Sequence, residues 1–193
     1  MDEITVEGHA RWLALDLEAD ADELIAAIVA EYEASTPNGN VEAIAEVLAS
    51  IAQRTAQDNP TGDDAFVLGL WAYLETGLQL DPAGTATLRA IRATPDTTAR
   101  QVIDELLVGT EPYGTGESME IDTASGPALA ARVRYVDPDD ADREVRETSL
   151  VVWVRPEAEL PMSFLLACSS IDLVEAAPVW PALRELAAGV AGL

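Results

Sequence analysis

Two apolar runs in the last third of the chain predict a central β-hairpin. Residues 150–154 and 162–168 are almost wholly apolar, and residues 155–161, which include two prolines, lie between them. Strand-length apolar runs joined by a short turn are typical of antiparallel hairpins. Val151 and Trp153 are as apolar as the residues on the opposite face, so we expect inner strands that are covered on both sides.

Further alternating runs predict the other strands. Residues 11–17 place Leu13, Leu15 and Leu17 on one face of a first strand. Residues 65–74 are apolar on both faces, and residues 85–93 are predicted to be their hairpin partner. In the strand over 128–136, we expect one set of side chains to point inward and another outward. The inward set is Leu129, Ala131, Val133 and Tyr135, and the outward set is Arg132 and Arg134.

Helical spacing predicts four helices. Asp20 and Asp22 precede a helix that reaches about residue 34, and Asn40 caps a second. Asp96 or Thr97 caps a third, which ends at Gly109. Its predicted apolar side consists of Ala99, Val102, Ile103, Leu106 and Leu107. A C-terminal helix carries Trp180, Leu183, Ala187 and Val190.

These elements follow the order β–α–α–β–β–α–β–β–β–α. Consecutive strands joined by tight turns predict a mostly antiparallel sheet of about six strands with helices packed on it. We therefore expect an α+β fold, and the length predicts a single domain over residues 1–193.

The net charge disfavours two classes of binding partner, nucleic acids and membranes. The chain has 35 acidic and 11 basic residues, a net charge of −24, and no lysine, so every basic residue is arginine. A GC-rich genome and adaptation to salt both account for this composition. Either way, the negative field repels phosphate backbones and anionic headgroups, so we expect neither nucleic-acid nor membrane binding.

The cysteine content and the N-terminus predict a cytoplasmic protein. Cys168 is the single cysteine, so it forms no internal disulfide. The first residues lack the basic and apolar regions of a signal peptide. No apolar run is long enough to cross a bilayer.

Several chemistries are disfavoured by the side chains that are present. Without lysine there is no phosphate-binding or Schiff-base lysine. Gly109, Gly114 and Gly116 do not have the dinucleotide-binding spacing. His9, the only histidine, lies in a polar N-terminal segment, and we expect it to be an exposed residue and not part of a triad. We therefore predict no catalytic residue and no cofactor.

Metal binding has one weak candidate, the acidic turn of Asp137, Asp139, Asp140, Asp142 and Glu144. This turn fails the calcium-loop pattern, and surface acidity explains it, with adventitious calcium binding as the alternative. A single histidine and a single cysteine, far apart in sequence, argue against zinc. We predict no metal site, and we expect Cys168 to be a buried packing residue.

Trp71, Tyr73 and Trp153 are the candidate binding residues. Alternation places them on one sheet face, opposite Leu68, Leu70, Val152 and Val154. One interpretation is that the first two helices cover this face. The other is that an aromatic patch is left open as a dimer or partner interface.

The second half of the chain carries motifs of a known group of proteins. These motifs are Gly126-Pro127-Ala128, Arg132-Val133-Arg134, Trp153-Val154-Arg155-Pro156 and Ser163-Phe164. In them the chain resembles actinobacterial proteins of unknown function. Their element order is similar to the fold of photosystem extrinsic subunit P and the Ran-binding import factor, which some mycobacterial lipoproteins also resemble. The resemblance implies a partner protein and no family catalytic residues.

We therefore expect a non-enzymatic accessory domain that binds a partner protein or itself. The first alternative is a small-molecule binding protein or a hydrolase that uses two carboxylates. The second is a salt-adapted domain whose negative surface serves solubility alone.

Overall fold

The computed structural model describes most of the chain, and its elements are named here in chain order. The described residues are 4–6, 11–33, 40–59, 65–74, 84–138, 140–141, 144–156, 160–170, 172–174 and 176–193. The helices are α1 (Ala21–Tyr32), α2 (Val41–Gln57), α3 (Ala99–Leu106) and α4 (Val179–Ala188). The strands are β1 (Thr5–Val6), β2 (Trp12–Leu15), β3 (Ala65–Tyr73), β4 (Thr85–Arg92), β5 (Glu111–Pro112), β6 (Glu117–Thr123), β7 (Gly126–Val136), β8 (Val145–Arg155), β9 (Met162–Ser170) and β10 (Val190–Ala191).

One antiparallel sheet organises these elements. Its strand order is β2-β3-β4-β9-β8-β7-β5, and β6 also pairs with β7. The predicted hairpin is confirmed, because β8 and β9 pair antiparallel with Val152 opposite Leu165. Since β7 and β4 flank this pair, both strands are internal, as the two apolar runs indicated.

The sheet has eight strands, so the prediction of about six strands was wrong. Strands β5 and β6 arise from a segment whose first half was predicted to be a loop. β6 is largely exposed, so its seven residues lack the strong apolar signal of a covered strand. It obtains its order from backbone pairing with β7. β1 and β10 form a separate two-stranded sheet, and Val190 lies in this sheet and not in the last helix.

Helices cover both faces of the sheet. α4 packs on the face that carries Trp71, Trp153 and Leu166, and its own buried residues there include Leu183 and Leu186. On the opposite face, α1 and α2 pack on Leu15, Leu70 and Ala72. α3 packs on that same opposite face, over β7, β8 and β9, where its buried residues are Val102 and Ile103.

A β-bulge in β3 changes the predicted facing of its side chains. The register with β4 shifts between Val67 and Gly69, so Phe66 and Leu68 pack on the same cluster as Trp71. Simple alternation had placed Leu68 on the opposite face. A Cβ on Gly69 would lie 2.4 Å from Cη2 of Trp71, so the glycine makes room for the indole ring.

Local capping defines the helix starts. Asp20 and Asn40 cap α1 and α2, as predicted, through side-chain oxygens that accept from Glu23 N and Ala43 N. α3 begins one or two residues later than expected. Its cap is Thr98, which forms a capping box with Gln101. None of the described helices combines the length and apolar character that a membrane span requires.

Candidate functional site

The three aromatic residues singled out from the sequence lie together beneath α4. Trp71, Tyr73 and Trp153 are 7%, 0% and 0% exposed. The Tyr73 ring lies 5.0 Å from that of Trp12, and Trp153 Nε1 donates to Thr123 Oγ1 at 2.9 Å. Trp12 Nε1 donates to the Ala182 carbonyl at 3.1 Å, which links the aromatic face directly to α4.

The interpretation that the first two helices cover this face was wrong, because α1 and α2 lie on the other face. The C-terminal helix covers the aromatics instead, through side chains such as Trp180 and Leu183. A partner could reach Trp71, Tyr73 or Trp153 only after α4 had moved. Partner binding by these three residues therefore stays a prediction.

A buried charge lies further along the same sheet face. Glu147 is 2% exposed, and its Oε2 accepts from Arg132 Nη2 at 2.8 Å and from Arg134 Nε at 2.7 Å. Within the described residues, its Oε1 has no hydrogen-bond partner. The prediction that both arginines point outward into solvent was wrong for Arg132, whose side chain is 19% exposed. The Glu147 carboxylate holds the two guanidinium groups in place.

A hollow of about 360 Å³ opens on the α3 side of the sheet edge. Its apolar lining residues include Ala131 and Val133 of β7 and Ile103 and Leu107 of α3. Its charged lining residues are Arg100, Asp104, Glu117 and Arg134. The loop between β5 and β6 forms its outer wall, where Gly114 has a φ of 75° that a side chain would disfavour. Both the volume and the combination of apolar and polar lining residues lie within the range of small-molecule sites.

Two exposed apolar residues are sequence neighbours of residues that line this hollow. Val108, which follows the lining residue Leu107, is 78% exposed, and Tyr113, which follows the lining residue Pro112, is 54% exposed. We refer to the hollow, Val108, Tyr113 and the strand β6 together as the α3–β6 surface. Large side chains that stay exposed beside an apolar hollow mark an interaction site more often than scattered ones do.

The chain segment that forms most of the α3–β6 surface is acidic, although Arg100 and Arg134 also line the hollow. Residues 101–131 contain six acidic residues and no basic one. Glu117, Glu120 and Asp122 of β6 are all exposed. The nearest arginines along the chain are Arg100 and Arg132. They are paired with Asp104 at 3.3 Å and with Glu147 at 2.8 Å.

Two other hollows of similar volume lie elsewhere on the described part of the molecule. One of about 320 Å³ lies between α2 and β3, and includes Ile51 and Phe66. Another, of about 370 Å³, lies beside α3 at β4 and β9, and includes Leu106 and Ser163. Leu106, predicted to lie on the apolar side of the third helix, lines this second hollow with Val102 and is 46% exposed.

The remaining candidates from the sequence have structural explanations where they are described. Cys168 is 2% exposed, and burial raises the pKa of its thiol to about 12, so the prediction of a packing residue is confirmed. In the acidic turn, Asp140 pairs with Arg146 at 3.3 Å across the hairpin. Asp139, Asp142 and His9 lie outside the described residues. The described part contains no group of three or more metal-ligating side chains.

The α3–β6 surface was missed because its residues carry weak sequence signals. The segment 111–118 is rich in glycine and polar residues, which predicted a loop. Met119 and Ile121 alternate with acids over β6, and this period-two pattern was the one signal that could have identified the strand.

The described residues form an α+β fold in which one antiparallel sheet carries helices on both faces. The sequence matches no family model and no curated protein. Among solved structures, the chain is similar to LpqN, a protein involved in cell envelope biogenesis of Mycobacterium tuberculosis. The identity is 16%, the TM-score is 0.43, and the match covers 70% of this chain and 83% of LpqN.

Proposed function

We propose that this chain is an accessory domain that binds a partner protein through its α3–β6 surface. The observation that carries the proposal is the exposure of Val108 and Tyr113, which adjoin in sequence the residues Leu107 and Pro112 that line the hollow. Burying such side chains in an interface removes apolar area from water, at roughly 25 cal/mol per Å². An aromatic residue beside a pocket is also the usual form of a binding hot spot.

The surrounding geometry supports binding more than catalysis. The hollow has two carboxylates in its lining, Asp104 and Glu117. The Asp104 side chain is 61% exposed and is paired with Arg100, and Glu117 is exposed. A carboxylate pair for hydrolysis needs one member in an apolar setting that keeps it protonated. This lining offers no such setting.

Site-specific photo-crosslinking in the cells that make the protein tests the proposal. A benzoylphenylalanine at position 108 or 113 is expected to form an adduct of defined mass. The same group at position 174 is not, although Val174 is equally exposed, at 83%. Mass spectrometry then identifies the partner, which is purified for a titration. We expect Val108→Ser to weaken its binding about tenfold, while Val174→Ser leaves binding unchanged.

Equal cross-linking from positions 108 and 174 would contradict the proposal. A purified partner whose affinity is unchanged by Val108→Ser would also contradict the proposal. Adducts between two copies of this chain would contradict the proposal of a partner protein and would indicate self-association through the same surface. The acidity of the surface argues against that result at low salt, because two copies would bring like charges together.

A reducing, cytoplasmic compartment is part of the proposal, as is the absence of nucleic-acid and membrane partners. The buried, unpaired Cys168 supports the first, and the net charge of −24 supports the second. The resemblance of the second half to partner-binding folds agrees with the same function and stays a prediction.

A small-molecule ligand is the second candidate, because a volume of about 360 Å³ could hold one. Ser118→Trp on the rim of the hollow distinguishes the two functions. The bulky ring would fill a small-molecule site and abolish ligand-induced thermal stabilisation. Val108→Ser, at a residue that does not line the hollow, would have the opposite effect: it would weaken binding of a partner protein and leave ligand-induced stabilisation unchanged.

A further inference from the structure

Within the described part of the chain, no strand pairs with the outer side of β6. β6 pairs with β7 alone among the described strands, through seven residue pairs from Glu117↔Arg132 to Thr123↔Gly126. The register has no shift, so this edge contains no bulge. The backbone groups of alternate residues in an antiparallel edge strand point away from the sheet. They can accept a further strand.

The length of β6 makes it unusual as an unprotected edge. The opposite edge of the sheet, β2, has four residues, whereas β6 has seven. Natural edges are usually blunted by bulges, proline or lysine. β6 contains no proline, its charged side chains are all acidic, and α4 packs against the face that carries Met119 and Ile121.

Acidic side chains lie on both faces of β6. Because alternate residues of a strand face opposite sides, Glu117 lies on the α4 side, while Glu120 and Asp122 lie on the α3 side. All three are exposed. An extended segment laid beside β6 would therefore meet a carboxylate whichever way its basic side chains pointed.

We infer that β6 accepts an extended, basic segment of the partner protein as an additional β-strand. This inference rests on the proposed function and specifies the chemistry of the partner at the same surface. Main-chain hydrogen bonds would supply the pairing, and lysine or arginine side chains would be selected by the acids. A second copy of this chain does not fit, because pairing β6 with β6 would place acidic side chains opposite one another.

The experiment uses a synthetic peptide as the probe for this edge. The peptide alternates lysine and threonine and is as long as β6, seven residues. Its binding to the full chain is measured by fluorescence polarisation at low salt. A second peptide has the same side chains but carries a methyl group on every backbone nitrogen. It keeps the charge and cannot donate to the edge.

Matched variants of the protein separate the edge from the general negative field. The variant E117Q/E120Q/D122N removes three charges from β6, and E31Q/E42Q/E46Q removes three from exposed positions on α1 and α2. Removing the β6 charges is expected to weaken peptide binding about tenfold, since each exposed pair contributes little alone. The α1–α2 variant is expected to bind as the native chain does. Far-UV circular dichroism verifies that both variants are folded.

Three results would overturn the inference. If the lysine peptide does not bind, the acids only protect the edge from pairing. If both triple variants weaken binding equally, or if the methylated peptide binds as well as its parent, the attraction is diffuse charge attraction and not strand pairing. If cross-links from positions 108 and 113 still form in any of these cases, the proposed function stands and only the strand-addition inference fails.

Discussion

Glu147 shows how a single buried charge organises its neighbours in this chain. Its carboxylate accepts from two arginines on the adjacent strand, while its second oxygen stays unpartnered within the described residues. A carboxylate removed from water is retained only when opposite charges compensate for its lost hydration. Arg132 and Arg134 provide that compensation, and each depends on Glu147 in return.

Replacing this carboxylate tests that dependence. Glu147→Gln is expected to lower the free energy of unfolding by about 3 kcal/mol, because it leaves two guanidinium groups without their buried counterion. Asp104→Asn is the control, since it breaks an exposed pair with Arg100 and should cost less than about 0.5 kcal/mol. Urea denaturation measures both variants. Equal losses would show that Glu147 contributes no more than a surface charge.

Cys168 gives a prediction for alkaline pH. Burial raises the pKa of its thiol from 9.0 to about 12 in the folded chain. Above pH 9 the unfolded chain releases the thiol proton and the folded chain keeps it, so stability is complete below pH 9 and falls as pH rises toward 12. The expected slope is about 1.4 kcal/mol per pH unit.

Comparing the native chain with Cys168→Ala isolates this slope, because the tyrosines titrate in both proteins. Denaturant midpoints measured at several pH values above 9 should converge as the native chain loses its extra stability. In the folded native chain, a thiol reagent should react slowly at pH 8 and at full rate only after unfolding. Midpoints that stay parallel over this range would contradict the burial of the thiol.

At the scale of elements, the sequence predicted the strands whose position is set by the burial of apolar side chains. Strands β8 and β9 lie where two apolar runs indicated them, because both of their faces are covered. The bulge at Gly69 could not be predicted, since the space that Trp71 needs depends on packing across the sheet. β6 was missed because its order comes from pairing with β7, which leaves little trace in the apolar pattern.

The candidate site was less predictable than the fold. The aromatic residues were correctly placed on one face, but no local pattern indicates that α4 would cover them. That contact joins residues far apart in sequence, such as Trp12 and Ala182. Val108 and Tyr113 were not singled out, because the exposure of an apolar residue in a turn depends on the surrounding fold.

The role of α4 as cover for the aromatic face can be tested by truncating one side chain. Leu183 is fully buried, and Leu183→Ala is expected to lower the free energy of unfolding by about 3 kcal/mol through lost burial and a cavity. Leu106→Ala is the matched control, because this leucine of α3 is 46% exposed and should cost less than about 1 kcal/mol. Similar losses from both would mean that α4 is loosely packed.

At the scale of the whole molecule, the charge of −24 opposes the compact state. Sodium chloride should therefore raise the thermal midpoint as its concentration increases from about 0.01 to about 1 M, where the screening length falls from about 30 to about 3 Å. Sodium sulfate at equal ionic strength separates screening from stronger apolar burial, which sulfate also promotes. A midpoint that does not change with either salt would show that self-repulsion is negligible.

The negative charge also bears on function, because some of the exposed acids lie on β6 within the proposed interface. The α3–β6 surface contains the exposed acids of β6 together with the exposed apolar residues Val108 and Tyr113. Such a combination favours a partner with apolar and basic groups, and the charge would speed its association more than it would tighten the complex.

Hydrogen–deuterium exchange of the chain with its purified cross-linked partner tests the central claim most directly. If the α3–β6 surface is the interface, amides of residues 107–123 should gain protection in the complex, while those of α1 and α2 exchange as they do in the free chain. Protection that appears over α1 and α2 and leaves residues 107–123 unchanged would contradict the account.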